Sequence, residues 1–455
     1  MDNTEPSEMS PTLGHLPQKS PETQEVSNAR GHLPHEPSKI YPSALSEPAK
    51  PSKSMRLLIL TNHFSPESFR VNDIAFDRAA RGDRVKVLTA IPDYPEGRYY
   101  SGYSLFRRRF ETVNGVEVVR VPVIPRGDGN KPRMVLQYGS SVVCFFFYAL
   151  WQALFHRYDA VFVHDTSPAF IGLPAKLVGR IQGIPVYHWI LDLWPESLAA
   201  GGVRGGKVYS LVDRMMRRIY RRDHKILISS RGSRALLESR GVPPEKIVWL
   251  PNWFDDLPAE PAGLEIPDIP PGFVVMFAGN LGEAQNLENV LRAAELTRDD
   301  PDIHWVFVGD GRKRPWMDDF VWEHKLEGTV HLLGRFPIEA MPQFFSKASV
   351  MLVSLNDEPV FDLVLPAKVQ AYMAAGKPIL GMLCGEGSEV IADARCGWCI
   401  PSGDVAGMAD KVRELSRMAP EDLAVYGDRA RVYYQTYFTK EKCMAILDGV
   451  LKDRT

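Results

Sequence analysis

Cysteine is scarce: Cys144, Cys384, Cys396, Cys399 and Cys443 are the only five in 455 residues. So few and so scattered thiols exclude a disulfide-stapled scaffold and point to a reducing compartment. An excess of one charge is missing as well. Lys and Arg total 54 against 56 Asp and Glu, a net charge of −2, which excludes a general nucleic-acid binder. No His/Cys cluster has the spacing of a zinc site. Cys396-Gly397-Trp398-Cys399 does not follow the first strand of a thioredoxin-like unit, and Asp300-Pro301-Asp302 reads as a solvated turn. The first apolar run ends in Asn62-His63-Phe64-Ser65-Pro66-Glu67, without the glycines a backbone needs to approach a pyrophosphate, which argues against a dinucleotide oxidoreductase. Long apolar runs are lacking too. The most apolar segment, Val142–Phe155, has 14 residues, short of the roughly 20 that a spanning helix needs. It reads first as a buried or groove-lining helix and second as a segment partly inserted in a membrane.

Residues 1–54 have no Phe or Trp, nine of the 36 prolines, nine serines, seven acidic and five basic residues. Such a stretch buries too little apolar surface to offset its ordering entropy, so a disordered tail is expected there. It has no charged start followed by an apolar run and does not read as a secretory signal. After it, short apolar runs alternate with helix-length segments, first over Arg56–Thr61, Arg84–Thr89, Val116–Val121, Ala160–His164, Pro185–Leu191, Lys225–Ile228 and Ile247–Leu250. A second series follows the Pro-rich stretch Asp256–Gly272: Phe273–Ala278, His304–Gly309, Val330–Leu333, Val350–Ser354, Pro378–Met382 and Trp398–Ile400. Strands alternating with helices imply parallel sheets covered on both faces. The expected organisation is a domain over 55–255, a linker over 256–272, a second domain over 273–430 and a C-terminal segment over 431–455. Its helix, Lys440–Lys452, is expected to return to the first domain.

Two patterns carry chemistry. In Leu211–Lys225, Arg214, Arg217, Arg218, Arg221, Arg222 and Lys225 recur at helical spacing and would form one cationic face, opposite Val212, Met215, Met216, Ile219 and Tyr220. Such a stripe attracts anionic headgroups at roughly 1 kcal/mol per cation, so a membrane-facing or diphosphate-facing role is expected. Arg107, Arg108 and Arg109 add a basic run. In the second series, glycine turns follow strand ends: Gly279-Asn280-Leu281-Gly282 with Gln285, Gly309-Asp310-Gly311-Arg312-Lys313, and Gly385-Glu386-Gly387-Ser388-Glu389, with Ser388 as an N-cap. Turns of this kind aim backbone amides and helix N-termini at an anion, which suggests a nucleotide diphosphate site.

Between them lies Leu365-Pro366-Ala367-Lys368-Val369-Gln370-Ala371-Tyr372-Met373-Ala374-Ala375-Gly376-Lys377-Pro378. This block resembles the donor-site segment of retaining glycosyltransferases of family four. The likeness continues in Phe277-Ala278-Gly279-Asn280, Val308-Gly309-Asp310-Gly311 and Leu333-Gly334-Arg335. In the first half it holds in Phe69-Arg70-Val71-Asn72-Asp73, Pro92-Asp93-Tyr94-Pro95-Glu96-Gly97, Asp192-Leu193-Trp194-Pro195-Glu196-Ser197 and Pro251-Asn252-Trp253. These blocks are similar to the branch that moves acetamido sugars onto lipid-linked intermediates of bacterial surface polysaccharides, and the resemblance covers about residues 55–455.

The resemblance implies an α/β GT-B fold, two doubly wound Rossmann-like domains facing a central cleft. It implies a donor site of Gly279, Asn280, Gly282, Gln285, Gly309, Gly311, Arg312, Lys313, Gly334, Arg335, Lys368, Gln370, Glu386 and Glu389. Facing it would be an acceptor site of His63, Pro66, Arg70, Asn72, Tyr94 and Glu196. Asp192 and Lys368 are the expected catalytic residues, Asp192 orienting the acceptor hydroxyl or holding the donor sugar and Lys368 neutralising phosphate. Asn280 and Gln285 stand where many members carry Arg and Lys, and Leu363 and Ala371 where many carry two glutamates, so Asp362, Gln370 or Glu358 would have to serve the ribose. The implied reaction is transfer with retention from a nucleotide-diphosphate sugar, UDP-linked, to a polyprenyl-diphosphate-linked saccharide. No metal or other cofactor is expected, and the protein would sit peripherally on the inner face of the plasma membrane. A nucleotide-sugar epimerase of the same fold and a catalytically silent nucleotide-binding scaffold are the alternatives.

Overall fold

The computed structural model describes residues 54–127, 131–200, 205–254 and 264–453. The tail expected over 1–54 lies outside the described residues but for Ser54, as does the start of the expected linker. Eight strands make the first sheet: β1 (Arg56–Thr61), β2 (Arg84–Ala90), β3 (Phe110–Val113), β4 (Val116–Val121), β5 (Ala160–Asp165), β6 (Val186–Ile190), β7 (Lys225–Ile228) and β8 (Ile247–Trp249). Six make the second: β9 (Phe273–Ala278), β10 (Ile303–Val308), β11 (Val330–Gly334), β12 (Val350–Ser354), β13 (Ile379–Met382) and β14 (Gly397–Ile400). Their orders are β3-β4-β2-β1-β5-β6-β7-β8 and β11-β10-β9-β12-β13-β14. Every pairing is parallel except β3 with β4. The apolar runs of β5, β9 and β10 are buried at every residue because helices cover both faces. Two doubly wound α/β halves of the GT-B kind result.

β3 is the strand absent from the sequence reading. Its partner β4 is reached through Asn114 and Gly115, both at positive φ, the dipeptide that forms the tightest hairpins. The core of the first half is closed by the far end of the chain. The helix Lys440–Lys452 lays Cys443, Met444, Leu447, Val450 and Leu451 against Leu57, Ile59, Val71 and Tyr187. Its Asp448 receives Arg78 at 2.8 Å and Arg81 at 2.6 Å. The preceding helix, Pro420–Tyr437, packs Ala430 and Tyr434 on the second half.

Two helices differ from expectation. Val142–Phe155 is the latter part of a 25-residue helix, Lys131–Phe155. Its portion Pro132–Phe155 is long and apolar enough, by length and composition, to cross a membrane, so the objection from length falls. It nevertheless lies along the first sheet, burying Ser141, Phe145, Ala149 and Ala153, four residues apart, while Phe147, Trp151, Leu154 and Phe155 are exposed. The basic stripe is shorter than its pattern. The helix Gly206–Tyr220 stops before Arg221 and Arg222, and Lys225 begins β7. Asp213 pairs with Arg217 at 2.7 Å and Asp453 with Lys225 at 3.0 Å, so the stripe has acidic partners. Arg214, Arg218, Arg221 and Arg222 are exposed.

Candidate active site

In a doubly wound sheet, ligands gather beyond the strand ends where the order of connections reverses. Those points lie between β9 and β12 in the second sheet and between β1 and β5 in the first. At the second-sheet point, β9 and β10 end in Gly279 and Gly309, at φ +140° and +150°, values that favour glycine. A Cβ on Gly309 would come within 1.9 Å of the Gly279 carbonyl oxygen, and one on Gly311 within 2.4 Å of Leu281 O. The two turns are therefore in contact, with the Asn280 side chain between Gly282 and Gly311. Gly334, at the end of β11, accepts the Gly309 amide at 2.7 Å, and Arg335 follows it, exposed.

Lys368, in the first turn of the helix Ala367–Ala374, reaches this place. A Cβ on Gly279 would meet Lys368 Cε at 2.9 Å. The ammonium donates to Gln285 Oε1 at 2.5 Å and sits over the Phe277 ring at 4.6 Å. No described carboxylate pairs with it. Burial pulls its pKa down to about 8, since a low-dielectric site disfavours the charge. Gly279, Asn280, Gly282, Gln285, Gly309, Gly311 and Lys368 thus converge.

Other expected donor residues are committed elsewhere. Lys313 forms ion pairs with Glu288 at 2.7 Å and Glu283 at 3.1 Å, leaving its charge neutralised. Gln370 is buried and donates to Asn252 O at 2.6 Å, so it ties the two halves together and does not serve the ribose. Glu386 Oε1 accepts both the backbone amide and Nε of Arg231 at 3.1 Å, again a tie between halves. Gly385–Glu389 is no glycine turn but the opening of the helix Gly385–Ala394, whose N-cap is Cys384 and not Ser388. Glu389 is exposed on that helix.

Across the cleft, Asn62 joins the ends of β1 and β5 by donating to Thr166 O at 2.9 Å and Pro168 O at 3.2 Å. His63 stacks on Phe69, ring centroids 4.8 Å apart, and its Nδ1 lies 3.2 Å from Glu67 Oε2. Glu67 Oε1 accepts the amides of Asp93 and Tyr94 at 3.0 and 2.7 Å. Asp93 Oδ2 accepts the Arg126 amide at 3.1 Å, and burial raises the pKa of Asp93. One donor atom each of His63, Glu67 and Asp93 lie within 4.8 Å of one another, close enough to share an ion. Their hydrogen bonds brace the loops around exposed Tyr94. Glu67 and Asp93 were not named as site residues from the sequence, although both stand inside motifs quoted there.

Asn72 turns inward, accepting Ser65 N at 3.1 Å and donating to Glu67 O at 2.7 Å, so it shapes the loop carrying exposed Pro66. Arg70 lies over the Trp253 ring at 5.9 Å and 3.4 Å from Asp73. Glu196 accepts from Arg240 at 2.5 Å, a structural pair and not an acceptor contact. Asp192 follows β6, with Oδ2 held by the Ser167 amide at 2.8 Å. Beneath it, fully buried Asp165 and His188 pair at 2.8 Å. Although burial opposes its charge, Asp165 and Asp223 raise the His188 pKa to about 9.

The comparisons agree with this fold. Residues 68–253 match the family model described as a glycosyl transferase 4-like domain, and residues 272–418 the model described as glycosyl transferases group 1. The glycosyltransferase WbjE of Pseudomonas aeruginosa is 27% identical over 344 residues, 71% of this chain and 83% of that protein. WcaI of Escherichia coli (strain K12), named for glycosyl transfer in colanic acid biosynthesis, is 26% identical over 344 residues, 71% of this chain and 82% of WcaI. The structure of HepE from Anabaena, in complex with UDP and glucose, is similar in fold, with a TM-score of 0.62 at 15% identity over 88% of this chain and 100% of HepE. The chain therefore carries a glycosyl transferase 4-like domain followed by a glycosyl transferases group 1 domain, on a GT-B fold.

Proposed function

We propose that this glycosyltransferase moves an acetamido sugar from a UDP-linked donor to a lipid-linked saccharide in surface polysaccharide assembly, with retention at the anomeric carbon. The observation that carries the reading is Lys368: a partly buried cation without a carboxylate partner among the described residues, set against two touching glycine turns, invites a diphosphate. The ammonium and the exposed turn offset charge developing on the leaving diphosphate. On the facing half, Asp192, held by the Ser167 amide, orients the acceptor hydroxyl. No metal is invoked for these steps. The name of WcaI supports a polysaccharide pathway, and the UDP in the HepE structure supports the donor class. The exposed apolar face of the helix Lys131–Phe155 supports work at a membrane, on its cytoplasmic side.

A nucleotide-binding protein without transfer is the second reading, favoured by the apolar Leu363 and Ala371 and by Gln370 being spent on Asn252. Titration with UDP and release of UDP from a UDP-acetamido sugar in the presence of lipid-linked acceptor separate the two. Lys368→Ala is expected to weaken UDP affinity about tenfold, the size of one lost charge-assisted bond. Unchanged UDP binding in that variant removes Lys368 from the site, and UDP binding without release leaves the scaffold.

A further inference from the structure

Next to the donor turns, a cleft of about 540 Å³ collects Arg98, Arg126 and Met134 from the first half and Arg312 from the second. Its one carboxylate is Glu96. Among the described residues, none of the three guanidinium groups has a hydrogen-bond or ion-pair partner. Three cations converging on one space repel each other unless an anion sits among them, and the guanidinium fork matches phosphate oxygens in pairs.

The positions are built. The Arg126 amide is held by Asp93 and the Gly127 amide by Gly97 O at 2.8 Å. A Cβ on Gly97 would come within 2.3 Å of Gly127 O, so these two loops touch. Asp93 is itself braced by Glu67, on the loop after β1. On the other side Arg312 follows Gly311, which abuts Leu281 in the first donor turn. The cleft therefore spans from the expected acceptor loops to the edge of the donor site.

A second feature identifies what the anion is attached to. Met134 belongs to the opening turn of the helix Lys131–Phe155. Roughly 20 to 26 Å further along, at 1.5 Å per residue, Phe147 and Trp151 of that helix line a mainly apolar groove of about 890 Å³ with Phe110. One element thus begins at a cationic cleft and carries an exposed apolar face away from it. We infer that Arg98, Arg126 and Arg312 bind the diphosphate of a lipid-diphosphate acceptor, whose chain leaves along the exposed face of this helix. The inference rests on the transferase reading for the word acceptor; the binding itself does not depend on turnover.

Farnesyl diphosphate serves as a soluble probe, titrated into the full chain with UDP present at saturation so that the donor turns are occupied. Binding is expected under those conditions, and Arg98→Gln with Arg126→Gln should weaken it about tenfold or more, two phosphate contacts being removed. UDP affinity should change by less than roughly twofold in that variant, since neither residue lies in the donor turns, and Lys368→Ala should show the converse pattern. Farnesyl monophosphate should bind more weakly than the diphosphate. If the double variant fails to fold, exposed Arg98→Gln alone carries the test. The proposal is overturned if farnesyl diphosphate does not bind, if UDP displaces it, or if its affinity survives the arginine changes. Failure of UDP itself to bind would instead overturn the donor reading, while the arginine comparison still decides this one.

Discussion

Lys368 has the conditional charge of an ammonium packed on an aromatic ring. With its pKa drawn down to about 8 by burial, the cation is fully present below that value and is lost as pH rises through it. Because an anionic donor binds the protonated form, UDP affinity should fall above about pH 8. In Lys368→Arg, whose guanidinium stays charged, the decline should disappear. Calorimetric titration from pH 7 to 9.5, a window of about 2.5 units around the shifted value, checks this; a flat wild-type profile would place the ammonium off the donor's path. Lys368 was legible in the sequence because its motif and its neighbours in the chain define it. Lys313, Glu196, Gln370 and Glu386 were not. Each is claimed by a partner distant in the chain, Glu386 by Arg231 across 155 positions, and no local pattern records such a pairing. Arg98 and Arg126 were missed for the same reason: isolated arginines acquire meaning only when loops bring them together.

At the scale of elements, both α/β halves were legible because a strand covered on two faces reads as an unbroken apolar run. β3 escaped because only an edge position holds it and Phe110 is exposed, although Asn114-Gly115 offered a usable hairpin signal. The helix Lys131–Phe155 was read too short because its first half is only moderately apolar. Its outward aromatics now make it the better candidate for membrane contact than the partly neutralised arginine stripe. Phe147→Ser with Trp151→Ser should cut binding to vesicles of phosphatidylglycerol and phosphatidylcholine roughly tenfold, losing over 1 kcal/mol of apolar burial. Arg217→Gln with Arg218→Gln should change it less, by roughly twofold or below at physiological salt. Sedimentation measures both, and the reverse ranking would return the membrane contact to the arginines.

Across the whole molecule, the two halves are held by a small set of polar ties: Arg231 to Glu386 and to Asp393 at 3.0 Å, Gln370 to Asn252, and Tyr434 to Phe254 O at 2.6 Å. The Glu386 side chain is fully enclosed, so removing its cation leaves a buried charge without its partner. Arg231→Met should therefore lower unfolding stability by about 3 kcal/mol, the lower end for a broken buried pair because Arg231 is itself partly exposed. Urea denaturation measures it; a loss within experimental error would mean that the tie is incidental. The first half has a further dependence on the second. A ribosome releases β8 at Trp249 long before it reaches Lys440, so through most of synthesis Leu57, Ile59 and Tyr187 await the helix that seals them. Nascent chains cut short just before Lys440 would thus hold a complete second half beside an unsealed first one, and the earliest-made sheet is among the last to be finished.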